Sequence, residues 1–124
     1  FHWREESQHA ILDEIEWRRE DERLDAAQRD QALSELIALV GAVDGIVQTQ
    51  ARADGEYFDQ AAGRAFDTAQ MQAVHATMLA AYRWQYIVSG VQDARYLELL
   101  GSMIDAAQGA RIQAALAPIV GAVH

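Results

Sequence analysis

Asp25-Ala26-Ala27-Gln28, written DAAQ, and Asp67-Thr68-Ala69-Gln70, written DTAQ, decide how this chain folds. Each sets an acidic N-cap three residues ahead of a glutamine that reaches back to the cap's own N–H. The reciprocal pair satisfies two of the donors left open at a helix start. Phe66 before the second box and Met71 after it have the spacing of a hydrophobic staple. Working outward from these two starts, the pattern predicts a first helix over 2–24, ending in the charged run Glu20-Asp21-Glu22-Arg23. A second is expected over 26–54, weakened locally by Gly41 and Gly45 and stopped by Gly55. The connection 55–66 has room for one more helical turn, ending near Gly63. A third helix is expected over 68–88, closed by Ser89-Gly90. A fourth is expected over 91–107, and a fifth after Gly109 that bends or breaks near Pro118. Nothing reads as a strand, and the short connections predict an all-α bundle of antiparallel neighbours in one domain spanning 1–124.

Composition narrows the function. Half of the 124 residues are hydrophobic (51%), enough for a core. There is no Cys, which excludes disulfides and thiolate metal sites, so any metal must be held by oxygen and imidazole ligands. The net charge of −9 argues against nucleic acid or an anionic membrane as a partner. No uninterrupted apolar run reaches the ~20 residues that span a bilayer, and no signal peptide is visible, so a cytoplasmic location is expected. All ten basic residues are Arg, and Lys and Asn are absent, which reads as GC-rich bacterial coding. The chain opens on Phe1 inside a helical pattern, giving the expectation that residues upstream are missing.

Several polar residues fall on apolar faces. At about 100° per residue, Leu33, Ile37, Val40, Asp44, Val47 and Ala51 share one stripe of the second helix. A carboxylate there needs a partner or a metal. Met71, His75, Leu79, Tyr82 and Tyr86 share a face of the third helix, with Gln72 at its edge. For His75 the plain alternative is a core histidine bonded to a carbonyl or a Tyr. On the first helix Trp3, Ala10, Trp17 and Leu24 form one apolar edge, and Ile11, Leu12 and Ile15 another. Between them runs a stripe of His2, Glu6, His9, Asp13, Glu16 and Glu20. A solvated acidic face is the plain reading of that stripe. With antiparallel hairpins turning near residues 26 and 60, however, His9 stands level with residue 43 and Asp44 with residue 76. Inward polar groups of three helices then meet at one height.

Glu5-Glu6-Ser7-Gln8-His9-Ala10 contains Glu-x-x-His, and with Asp44 and Gln72-x-x-His75 it resembles the ferritin-like di-iron and di-manganese carboxylate proteins, in particular the rubrerythrin-like branch. The resemblance covers residues 1 to 88, with 89–124 as additional C-terminal helices. It implies a ferritin-like antiparallel bundle in which Glu6, His9, Asp44 and His75 hold Fe (one ion or two) or Mn, with Zn also able to bind. Asp13, Gln72 and Tyr82 would orient the ligands, and Glu98 and Asp105 stand further off. Asp44 stands in place of Glu, Gln72 in place of Glu, and the family's first helix is absent. The implied function is a metal-dependent oxidoreductase or oxygenase. The alternative is a metal-free helical bundle for assembly or partner binding. Trp3 and Trp17 cannot both fill one narrow core, so the chain is expected to be a homo-oligomer, or to be completed by an N-terminal segment, with at least one indole touching another subunit or the C-terminal helices.

Overall fold

The computed structural model describes residues 2–123, and among them the chain forms five helices and no strand. Helix α1 is His2–Asp21 and α2 is Ala26–Ala61. Helix α3 covers 68–91, with α-helical Thr68–Arg83, a π turn at Trp84–Val88 and a closing turn at Ser89–Val91. Helices α4, Ala94–Gly101, and α5, Ala106–Gly121, complete it.

Both capping boxes form as expected. Asp25 accepts from the Gln28 N–H at 2.8 Å while the Gln28 side chain accepts from the Asp25 N–H at 2.9 Å, and Asp67 with Gln70 repeats the pair. A third box at Asp105–Gln108 starts α5. The expected helix over 91–107 is therefore corrected. Asp93 caps a short α4, and the chain breaks again before Asp105. The signal was visible, because residues 105–108 repeat the tetrapeptide DAAQ.

Helix α1 ends at Asp21 rather than residue 24, α3 runs through Ser89-Gly90 to Val91, and three further features differ. Helix α2 runs through Gly55, which is buried, and the turn falls at Gly63, whose φ of 67° suits a residue without Cβ. Phe66 stacks on Phe58 across this turn with ring centroids 5.5 Å apart. Helix α5 continues through Pro118 without breaking. Leu116 and Ile119 on either side of it are held in the core, and that packing offsets the missing donor. Within α3, Tyr86 keeps the face of Tyr82, their rings meeting edge to face with centroids 6.4 Å apart, but that face is not the buried one at this end of the helix. The Ser89 N–H bonds back to the Trp84 carbonyl, five residues away, and the wider turn advances the inward face. Ile87 and Val88 are buried in its place, and Tyr86 is 62% exposed.

Helices α2 and α3 form an antiparallel hairpin, joined by Asp54–Tyr82 and Asp44–Arg83 side-chain bonds. Helix α5 runs alongside α2 in the same direction, from Arg111 on Asp30 at one end to Ile119 in the core with Val40 at the other. The core is Ile87, Val88 and Ile119, flanked by Val40, Val43, Val91 and Leu116. Helix α1 contributes no buried residue. Its attachments lie in its second half, where Glu14 pairs with Arg95, Trp17 packs on Tyr96 at 5.8 Å and Asp21 pairs with Arg29. The sequence placed α1 beside α2 and α3 as a third bundle helix. The structure holds it only at this end.

Among the described residues, α2 alone is long and apolar enough to cross a membrane by length and composition. It meets that measure with Glu35 and Asp44 interrupting its apolar stretch, so no uninterrupted run of that length occurs in it. In this fold α2 contacts both α3 and α5.

Candidate functional site

The polar groups singled out by the sequence collect mainly along the α2–α3 seam. Asp44 is 8% exposed, buried by the stripe Leu33–Val47–Ala51 that places it. Arg83 meets it with two parallel bonds, Nε to Oδ1 at 2.7 Å and Nη2 to Oδ2 at 2.9 Å, and Gln48 donates to Oδ2 at 2.7 Å. The Arg83 bonds, then Gln48, hold the Asp44 carboxyl below the usual carboxylate range despite its burial. Asp44 thus has the partner its place on an apolar stripe requires, and that partner is Arg83 rather than a metal. Its partner comes from α3, 39 positions away in sequence, and reaches it because an arginine side chain is long enough to span between adjacent helices.

The other candidates are dispersed. Tyr82 donates to Asp54 rather than to an imidazole, and that bond raises the Tyr82 phenol above its ordinary value. His75 is half-buried, and its Nε2 is enclosed with no hydrogen-bond partner among the described residues. Asp59 Oδ1 is enclosed in the same way. Glu6, His9, Asp13 and Gln72 are exposed. Glu6 has His2 of its own helix at 3.9 Å. Glu98 is exposed on α4, and Asp105 is spent on capping α5. Among the described residues no three His, Asp or Glu side chains gather as a metal-holding group. The set Glu6, His9, Asp44 and His75 does not converge within one chain and does not fit a metal there.

Arg83 is absent from the third-helix face read in the sequence, which comprises Met71, His75, Leu79, Tyr82 and Tyr86 with Gln72 at its edge. The hairpin level placed the partner of Asp44 on α3, but near residue 76, about two turns from Arg83, the only arginine on that helix. The Trp17 expectation is met, because its indole packs on Tyr96 of α4.

No protein-family model matches this chain, and neither the curated proteins nor the solved structures compared with it contain a match. The chain is assigned to no family.

Proposed function

We propose that this chain is a helical assembly module that associates with a second copy of itself through α1. One observation carries the reading. The chain exposes 8776 Å², whereas a compact monomer of its mass exposes about 6,600 Å². The excess of roughly 2,000 Å² exceeds the ~800 Å² that each partner contributes to a standard interface. Ile11, Leu12 and Ile15 lie on the side of α1 away from Trp17, and all three are exposed.

The sequence of that face favours a second copy. Arg4, Gln8, Ile11, Ile15 and Arg18 alternate four and three apart along α1, the spacing of a two-helix seam, and Glu22 continues the spacing in the turn just past the helix end. An antiparallel pair centred on Asp13 sets Ile11 against Ile15, Gln8 against Arg18 and Arg4 against Glu22, each pair occurring twice. Arg4 and Glu22 have no ion pair among the described residues, so both remain free for it. Sedimentation equilibrium tests the reading. Arg4→Glu and Glu22→Arg should each weaken a dimer, and the double variant should restore it. A chain that stays monomeric at its highest soluble concentration overturns the proposal.

A second reading is the ferritin-like metal-dependent oxidoreductase with Fe or Mn. It is favoured by Glu6 and His9, which sit exposed and three apart on the opposite face of α1, tied to no other helix. The remaining ligands would come from another chain. Metal analysis of the assembled protein tests it, with loss of bound metal expected in His9→Ala.

A further inference from the structure

The cavity between α2, α4 and α5 belongs neither to the polar seam nor to the α1 face. It holds about 190 Å³ and opens to solvent on the side where Gly41, Leu97 and Ala115 are exposed. An engineered apolar cavity of ~150 Å³ stays dry and takes up benzene, so on that scale this one holds about six to eight carbon atoms. Its shape is set by two helices. Leu36, Val40 and Gly41 of α2 form one wall, and Ile112, Ala115 and Ile119 of α5 form the other. Ile112 to Ile119 is seven residues, a slot of roughly 10 Å at the α-helical rise. That length and volume together describe an extended chain rather than a ring. The gap exists because small residues line it: a Cβ added at Gly41 meets nothing within 4 Å.

Only one lining residue, Tyr96, has a polar side-chain atom. Its hydroxyl makes no hydrogen bond among the described residues, and its ring is held by Trp17. No basic side chain lines the slot, and the chain's charge of −9 opposes an anion. We infer that this slot binds a linear alkyl chain of about six to eight carbons, by the scale of the apolar cavity above, ending in an uncharged hydrogen-bonding group, such as a primary alcohol, that meets the Tyr96 hydroxyl. The assignment does not depend on how α1 assembles.

Titration calorimetry with 1-octanol, octanoate and n-hexane tests it on the whole chain. Saturable binding of one 1-octanol per chain is expected, with octanoate at least 10-fold weaker. Ala115→Leu fills the slot and should abolish binding while keeping the helical signal and raising the thermal midpoint. Gly41→Leu fills it from the other wall and serves where Ala115→Leu fails to fold. Tyr96→Phe should weaken 1-octanol about 5-fold and leave n-hexane unchanged, the size of one neutral hydrogen bond. Absence of saturable 1-octanol binding, binding that survives both filled variants, or octanoate binding as tightly as 1-octanol each overturns the assignment.

Discussion

The Asp44–Arg83 pair is the residue on which the hairpin most depends, because a carboxylate 8% exposed is tolerable only with its charge answered. Arg83→Ala should destabilise the protein by about 3–5 kcal/mol, the cost of stranding a buried charge, whereas the apolar pair Asp44→Leu with Arg83→Met should cost far less. Urea titration of the three proteins decides this. The pair also sets an acid limb. Asp44 has a folded pKa below its ordinary value, so its stabilisation is present above about pH 4 and is lost as pH falls through the folded value. Stability should therefore drop below about pH 4 in the natural chain and drop less in Arg83→Ala, measured by urea midpoints at pH 3 and pH 7. His75 behaves oppositely to a ligand or a partner of Asp44. Its Nε2 is enclosed and unbonded, so His75→Leu removes an unsatisfied group and should be neutral or mildly stabilising. A loss of several kcal/mol in that variant would contradict the geometry.

At the level of the helix, the π turn and the attachment of α1 decide the layout. By adding a residue to one turn, Trp84–Val88 lets Arg83 face Asp44 while Ile87 and Val88 enter the core with Ile119. A regular α-helix would present Tyr86 there, as the sequence periodicity suggested. Helix α1 is held by Trp17 on Tyr96 and by ion pairs of exposed side chains, which are worth little each. Trp17→Ala should free α1 without unfolding the rest. The expected result is faster proteolysis within residues 2–21 and an unchanged main thermal transition; a lowered main transition would mean that α1 is part of the cooperative core.

For the molecule as a whole, the surplus of exposed apolar surface is the dominant fact. Trp3, Ile11, Leu12, Ile15, Leu39 and Ile46 are all exposed. If α1 pairs with a second copy, folding is linked to association and the thermal midpoint must rise with protein concentration. A midpoint constant across a hundredfold dilution would count against self-assembly.

The amino-acid sequence by itself determined the all-α class and two of the three helix starts built on capping boxes, because N-caps and turn glycines act over three or four residues. It also marked Asp44 as inward-facing, since the 3.6-residue period is a local property of α2. It contained the third capping box at Asp105–Gln108 in plain form, unread until the structure placed α5 there. What only the tertiary structure decided was which groups meet. The hairpin level set Asp44 opposite residue 76, about two helical turns short of Arg83, because the turn lies nearer Gly63 than residue 60, and the level leaves the azimuth of each partner open as well. The splay of α1 kept Glu6 and His9 in solvent, far from the depth that equal heights had assigned them. Pairing depends on the angles between helices, and those are set by the packing of Ile87, Val88 and Ile119, which no local pattern encodes.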